Sequence, residues 1–341
     1  MNFKKILQRN ELYVFIAIII MALLVQYRSG LFFANNTLVD ITRSLVIPGM
    51  LSVLATIVIV SGGIDLSFPY IGAISLFVVS SLMGDSEIGL WAMLLLGAII
   101  GLVLGAINGV LIGYFRFNSL IVTLGTGSIF AGILFGALKG QEIPIPPAMY
   151  RLGRAKLFTV TDSSTGLSSN MPVTILFFIG LVILVWFILN KTLFGRGIYA
   201  VGGDEAAAKA AGFNIFGTHM FVYCFVGAMV GIIGVLRGSM ILDCHPHTFS
   251  GMELTAIAAV VLGGAVLFGG KGTIAGTILG ILLLTIIANS LILVGIPVYW
   301  QRVFIGFVII VSTGASGYQL LRNQKKLSIR KTNIKEQNIE K

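Results

Sequence analysis

The sequence predicts an all-α, polytopic integral membrane protein with about ten transmembrane helices. Three observations lead to this fold class: the chain of 341 residues is 57% hydrophobic, it is only 11% charged, and its mean hydropathy is +0.99. Soluble domains carry roughly 25% charged residues, so this chain lacks the polar surface that a soluble fold of its length needs. The composition therefore excludes a soluble globular protein and indicates lipid as the main solvent.

Apolar runs of transmembrane length recur along the chain. The predicted spans are residues 12–27, 44–60, 66–83, 88–113, 119–138, 171–189, 218–236, 254–268, 274–294 and 299–316. The first run follows basic residues as in a signal peptide, but no small-residue cleavage site follows it, so we expect an uncleaved first span. The sequence thus predicts a membrane domain over 1–321 and a basic tail over 322–341.

The net charge of +10 indicates membrane topology. If the spans alternate, 15 Lys and Arg fall on the side of the N-terminus and eight on the other side. Cytoplasmic loops carry an excess of Lys and Arg, so we expect both termini in the cytoplasm. The tail holds seven of these residues, and its charge suits lipid headgroups. We expect membrane lipid, and no nucleic acid, as a partner.

Two polar connections are long. The outer one, about 139–170, is rich in Pro, Ser, Thr and Gly and predicts an irregular extracytoplasmic loop with little helix. The inner one, about 190–217, contains an Ala-rich stretch with Asp204 and Glu205 at its start and Gly212 at its end. This pattern predicts a helix of about eight residues over 204–211. A helix that short is unstable alone in water, so we expect it to pack against another part of the protein.

Two Gly-rich joints interrupt the spans, at 61–67 and 263–273. The stretch 254–294 must hold two crossings and a turn, so its helices must be short or tightly paired. Short, Gly-interrupted spans are typical of transporter sites, because freed backbone groups are tolerated only where they face protein or water. The two joints also resemble each other, as an apolar run, a Gly pair and a second apolar run.

Polar side chains beside the spans have two possible roles. Asp65 could cap the third span by accepting from backbone N–H groups, or could face a solute path, and the two roles are compatible. Asn108 and Asn289 could join helices through hydrogen bonds or contact a solute. We retain Asp65, Asn108 and Asn289 as candidate residues of a translocation path.

No catalytic or cofactor site is expected. The chain shows no nucleophile, acid/base pair or metal cluster at working spacing. His245 and His247 lack a further spaced ligand, and Cys224 and Cys244 have no CxxC companion. The string at 269–273 does not fit the phosphate-loop pattern, so we expect no nucleotide site in this chain.

Four blocks carry a resemblance to a known family. They are SGGIDLS at 61–67, NGVLIGYFRFNSLIVTLGT at 108–126, FGRGIYAVGGDEAAAKAAG at 194–212 and GMELTAIAAVVLGGAVLFGGKGTIAGTILG at 251–280. Together they resemble the membrane permease subunits of sugar-type ABC importers, the ribose, xylose and autoinducer-2 branch. The resemblance covers about residues 40 to 315.

This resemblance implies a multi-pass permease of the bacterial cytoplasmic membrane, paired with a second copy or a similar permease. It implies that cytoplasmic ABC ATPase subunits bind the ATP, and that an extracytoplasmic binding protein delivers the solute. In the family, the helix of the large cytoplasmic loop couples the permease to the ATPase. The matching residues are Gly203, Asp204, Glu205, Ala206, Ala207 and Gly212.

The implied solute is a neutral, sugar-like molecule. This chain has Phe68-Pro69-Tyr70 where the family usually has a Val-Gly-Ala run, so ribose in particular is not implied. Within the coupling helix, we expect Glu205 to offer its charge to an Arg or Lys of the ATPase. The alternative function is a secondary transporter driven by an ion gradient. Such proteins keep acidic or His relays within their spans, whereas the acids here lie at loops and margins.

Overall fold

The computed structural model describes residues 10–84, 88–161, 166, 168–293 and single positions between 295 and 314. In chain order the helices are α1 (Asn10–Ser29), α2 (Asn35–Val60), α3 (Phe68–Met83), α4 (Leu90–Gly113), α5 (Ser119–Gly132), α6 (Pro147–Arg154), α7 (Ile175–Lys191), α8 (Leu193–Gly203), α9 (Glu205–Ala210), α10 (Ile215–Ile241), α11 (Met252–Leu262) and α12 (Ile274–Leu293). A π-helical turn, Ile133–Ala137, continues α5. Two strands, β1 (Lys156–Thr161) and β2 (Ser168–Pro172), form a hairpin.

The helices confirm a polytopic membrane architecture. Among the described residues, six helices are long and apolar enough to cross a membrane, and a seventh span results if α7 and α8, which meet at 73°, count as one. The shorter apolar helices α3 and α11 coincide with predicted spans, but α11 ends at Leu262 rather than at residue 268. The tenth predicted span, 299–316, lies largely outside the described residues, and the tail 322–341 lies wholly outside them. The count of ten therefore stays a prediction.

The centre of the bundle is α2. Every residue from 49 to 61 is buried, because α7, α10, α11 and α12 all pack against this helix. A helix that is apolar on all faces is stable only when other protein or lipid surrounds it, and α2 is of this kind. By contrast, α1 lies at the edge, where Ala22 and Val25 contact Ile286 of α12.

The most extensive helix contact among the described residues is between α4 and α10. Gly97, Gly101 and Gly105 recur at every fourth residue of α4, a spacing that predicts a smooth stripe for helix packing. The structure confirms this prediction, since the stripe lies against Gly227 and Gly231 of α10. A Cβ on Gly97 would stand 2.8 Å from the carbonyl oxygen of Gly231. The two backbones therefore meet with no side chains between them.

The prediction of an irregular loop over 139–170 is wrong. Pro147 occupies the first turn of α6, where its missing N–H costs nothing. The β-branched and aromatic residues of β1 then pair in antiparallel register with β2, and the Thr159 hydroxyl donates to Asn170 Oδ1 at 2.7 Å. Ser169 ties the hairpin to α2 by donating to Asp40 Oδ2 at 2.9 Å. The all-α fold class thus holds with this hairpin as its exception.

Candidate coupling site

The inner connection folds into two helices, α8 and α9. Asp204 begins α9, since its Oδ1 accepts from the backbone N–H of Ala207 at 3.0 Å. Gly212 follows the helix with a φ of 86°, a backbone conformation that favours glycine. The start and stop signals are therefore confirmed, although the helix holds six residues, 205–210, rather than eight. The sequence analysis did not predict α8, in whose first turn Thr192 Oγ1 accepts from Gly195 N–H at 3.2 Å.

One side of α9 is buried and the other is exposed. Ala208 packs with Val201 of α8 and Ile215 of α10, which confirms that the short helix depends on its neighbours. The predicted coupling residues all lie on the exposed side: Gly203, Asp204, Glu205, Ala206, Ala207 and Gly212. The site thus presents a small, Ala-rich exposed surface, and the packing of Ala208 against α8 and α10 holds this surface in place.

Five glycines fix α8 and α9 to the bundle. We call Gly62, Gly202, Gly203, Gly269 and Gly270 the glycine junction, because they bring both Gly-rich joints against the end of α8. The N–H of Gly270 donates to the carbonyl of Val60 at 2.9 Å. A Cβ on Gly269 would stand 2.7 Å from Gly62 Cα, and one on Gly270 would stand 2.7 Å from Gly203 Cα. Three separate connections therefore meet backbone to backbone at one point.

The two joints end their helices in the same way. Gly62 after α2 and Gly264 after α11 have φ values of 87° and 92°. In each joint, the N–H of the residue after this glycine donates to the carbonyl five residues earlier. Gly63 N–H donates to Val58 at 3.0 Å, and Ala265 N–H donates to Val260 at 3.1 Å. This is the Schellman arrangement of a helix C-terminus. The resemblance seen in the sequence thus has a structural counterpart, with Gly62 matched to Gly264.

Glu205 is paired within the chain. Its carboxylate forms an ion pair with Arg116, which lies between α4 and α5 in the left-handed region at a φ of 60°. The expectation that Glu205 offers its charge to an Arg or Lys of the ATPase stays a prediction, and in this structure the charge is paired with Arg116. The side chains are 44% and 53% exposed, so the pair contributes at most about 1 kcal/mol to stability. Its structural effect is to link α9 to a third connection.

A buried hydrogen-bond network, the Asp65 network, lies behind the glycine junction. Asp65 Oδ1 accepts from both the N–H and the hydroxyl of Ser67 at 2.7 Å. Asn108 Nδ2 donates to Ser67 Oγ at 2.8 Å, and Thr126 Oγ1 donates to Asn108 Oδ1 at 2.7 Å. Burial raises the pKa of the Asp65 carboxyl, while its bonds to Ser67 lower it. The network joins the first joint to α4 and α5, so Asp65 and Asn108 lie together.

The third path candidate lies elsewhere. Asn289 of α12 lines a cavity of about 390 Å³ together with Ser44, Thr255 and Thr285. Ser44 donates to Asn289 Oδ1 at 3.4 Å, and Asn289 Nδ2 donates to the Thr285 carbonyl at 2.9 Å. Among the described residues, no hydrogen bond joins Asn289 to the Asp65 network. The structure therefore brings two of the three candidates together and places the third beside a polar cavity.

Sequence reasoning missed two residues of this site. The Tyr199 hydroxyl of α8 donates to the carbonyl of Gly272 at 2.8 Å and so ties α8 to the second joint. In the sequence, Arg116 contributed only to the count of basic residues on the side of the N-terminus. Neither role leaves a local signal, because each partner lies more than 70 residues away along the chain.

The His pair forms no visible metal site. His247 stacks on Phe135 with ring centroids 4.6 Å apart. Within the ranges that the structure describes, no group of three or more His, Cys, Asp or Glu could hold a metal ion.

Comparison with known proteins identifies the family. Residues 37–313 match the family described as the permease component of the branched-chain amino acid transport system. The Ribose import permease protein RbsC of Escherichia coli (strain K12) is 33% identical over 301 residues, which cover 87% of this chain and 90% of that protein. The Probable ABC transporter permease protein YphD of the same organism is 31% identical over 317 residues, with 93% and 92% covered.

A third relative extends the group. The Autoinducer 2 import system permease protein LsrC of Yersinia pestis (strain Pestoides F) is 30% identical over 280 residues, with 82% of this chain and 76% of that protein covered. No solved structure matches the chain significantly. The resemblance noted in the four sequence blocks is thereby confirmed over most of the chain: it belongs to this permease family, as a sugar-type ABC transporter permease.

Proposed function

We propose that this chain is the permease subunit of an ABC importer that carries a sugar or sugar-like polar solute across the bacterial inner membrane. ATP hydrolysis takes place in partner ATPase subunits, and the chain itself performs no covalent chemistry. The observation that carries the proposal is the exposed surface of α9, which the glycine junction and Arg116 attach to three connections between membrane helices. Such an attachment suits a helix that partner subunits displace and that transmits the displacement to the membrane helices.

The family supports a proposal for the assembly. A second permease copy or homologue completes the pathway, two ATPase domains contact the α9 surfaces, and a binding protein delivers the solute on the opposite side. The excess of Lys and Arg on the side of the N-terminus supports cytoplasmic termini and ten spans, with α8 and α9 in the cytoplasm. The hairpin β1–β2 and α6 then face the binding protein.

The geometry suggests how movement passes through the chain. Closure of the ATPases displaces α9, and α9 cannot move alone because its buried Ala208 packs with α8 and α10. The glycine junction has no flexible side chains that could absorb the movement. Both joints, and the helices α2, α3, α11 and α12 on either side of them, therefore shift with α8 and α9 between outward and inward access.

The solute is proposed to be neutral. Relatives are named for ribose and for autoinducer 2, and the acids of the six long helices, Glu11 and Asp40, lie within the first two turns of α1 and α2. Asp65, Asn108 and Asn289 stay candidates for the path, and the polar cavity beside Asn289 supports that residue most directly. Asn289→Ala should change the Michaelis constant for uptake, whereas unchanged uptake kinetics would assign Asn289 to helix packing.

The deciding experiment measures uptake of D-ribose and related sugars into proteoliposomes that contain the permease. We expect uptake only when the ATPase subunit, the binding protein and internal ATP are all present. The control lipid vesicles contain the permease alone with an imposed proton or sodium gradient. Uptake in that control would instead support the alternative, a secondary transporter.

A further inference from the structure

A second polar cavity lies directly behind α9. It measures about 290 Å³ and is enclosed by the first joint, the connection between α4 and α5, the end of α8, the start of α9 and the first turns of α10. Pockets for drug-sized ligands measure roughly 300–1,000 Å³, so this cavity suits a single smaller molecule. Nothing in the coupling geometry itself requires a cavity at this place.

The cavity wall contains a buried polar group without a partner. His219 of α10 is only 8% exposed, and its Nδ1 has no hydrogen-bond partner in the structure. Leaving such an atom unpaired costs about 1–3 kcal/mol, so buried groups of this kind usually meet a partner. Nδ1 itself has almost no accessible surface, so a molecule in the cavity would contact His219 through the rest of its imidazole ring. Asn118 adds its side-chain Nδ2, which has no hydrogen bond to any residue that the structure describes; its Oδ1 caps α5 by accepting from Leu120 N–H at 3.0 Å.

The charges of the cavity favour a neutral ligand. Its charged side chains are Arg116 and Glu205, which neutralise each other in the ion pair. The backbone N–H groups of Ser61, Gly62 and Gly63 already donate to carbonyls of α2, so they are not available as donors for an anion. A phosphate or carboxylate would thus be desolvated without compensation.

The remaining lining suits a sugar. Phe117 and Phe268 present aromatic rings, and Phe268 is 81% exposed at the cavity mouth. Aromatic faces pack on the C–H surfaces of a sugar ring, while hydroxyl, amide and imidazole groups bond its hydroxyls. We infer that this cavity binds a neutral, polyhydroxylated small molecule, and that the imported solute, once it accumulates in the cytoplasm, occupies it. This inference rests on the proposed function.

Occupancy should slow the transporter. The cavity exists only while α9 is seated against the joints, because its walls come from both. A ligand that binds this arrangement stabilises it relative to any arrangement in which α9 has moved. Accumulated solute would therefore restrain α9 and lower the rate of import, a product inhibition that acts at the coupling helix and away from the solute path.

The test uses calorimetric titration of the purified full-length permease with D-ribose and D-xylose, and with ribose 5-phosphate as a charged comparison. We expect at least one pentose to bind in the millimolar range and ribose 5-phosphate to bind more weakly. His219→Phe keeps the ring and removes the nitrogens, and it should weaken pentose binding about fivefold, the loss typical of one neutral hydrogen bond. The matched control is His247→Phe, which retains the stack on Phe135 and should bind as wild type does.

The inference fails if neither pentose binds, if ribose 5-phosphate binds as tightly as the pentoses, or if both His variants bind alike. Should His219→Phe not fold, the comparison of neutral and charged ligands on the wild type decides. ATP-driven uptake without pentose binding to the permease would overturn this inference and leave the proposed function standing. Pentose binding without ATP-driven uptake would support the cavity and overturn the proposed function.

Discussion

Gly202→Ala tests whether backbone contact at the glycine junction attaches α8 to the bundle. A Cβ at this position would stand 2.8 Å from Gly270 N and 2.9 Å from the carbonyl carbon of Ser61. Real Cβ atoms do not approach backbone atoms closer than 3.0 Å, so α8 must move away from both joints. The variant therefore loosens the attachment without touching the exposed surface of α9.

The magnitude follows from three contributions. Overpacking costs about 1–3 kcal/mol, and loss of the bond from Gly270 N–H to the Val60 carbonyl costs about 1 kcal/mol more. Alanine recovers about 1 kcal/mol, since residue 202 is helical and Ala is the better helix former. The net destabilisation is about 1–3 kcal/mol. Gly203→Ala is the steric control, because the nearest atom to its Cβ, Gly270 Cα, stands 4.0 Å away.

Two assays measure the effect. Thermal unfolding of the purified permease should show a lower midpoint for Gly202→Ala and an unchanged or slightly higher midpoint for Gly203→Ala. In the assembled importer, solute-stimulated ATP hydrolysis should fall about fivefold or more for Gly202→Ala, the range of a coupling free energy of 1–3 kcal/mol. If Gly202→Ala unfolds and hydrolyses ATP as the wild type does, the junction does not attach α8 in the way argued.

Three further predictions concern the site and the bundle. Asp65→Ala should lower stability by about 2 kcal/mol by leaving buried donors unpaired, whereas Asp65→Asn keeps an acceptor and should lose less; equal unfolding midpoints would contradict this. Glu205→Lys should lower solute-stimulated ATP hydrolysis, and adding Arg116→Glu should restore part of it by reversing the pair; a double variant no better than Glu205→Lys would exclude a role for the pair. Gly101→Ala should destabilise the α4–α10 contact by about 2 kcal/mol or more, while Gly125→Ala, where the added Cβ meets open space, should not; thermal unfolding of both variants checks this.

The local features of this fold could be predicted from the sequence. Apolar runs located α4 and α12 to within a few residues, because a helix must stay apolar for as long as it lies in lipid. The capping signals of α9 depend on neighbours along the chain, so Asp204 and Gly212 revealed its ends. The spacing of the α4 glycines likewise predicted close packing.

Features that depend on distant partners could not be predicted. Arg116 and Glu205 are 89 residues apart, and either charge alone suits a cytoplasmic loop. The glycine junction joins three connections, and its glycines lie in local turns or at the end of α8, so nothing in the sequence shows that they meet. The hairpin was missed because Ser, Thr and Asn suit a loop as well as a strand, and only pairing decides between them.

The backbone contact between α4 and α10 has a mechanical consequence. Because no side chains separate the two backbones, nothing between them can absorb a relative movement. The two helices therefore move together as one rigid unit. The 27 residues of α10 span about 40 Å, from the turn beside α9 to the end where α6 approaches Ser239 through Gly153. A tilt of α10 at the end beside α9 therefore displaces its other end, which lies against α6. Under the proposed function, displacement of α9 by the ATPases would in this way move the surface around α6 that the binding protein contacts.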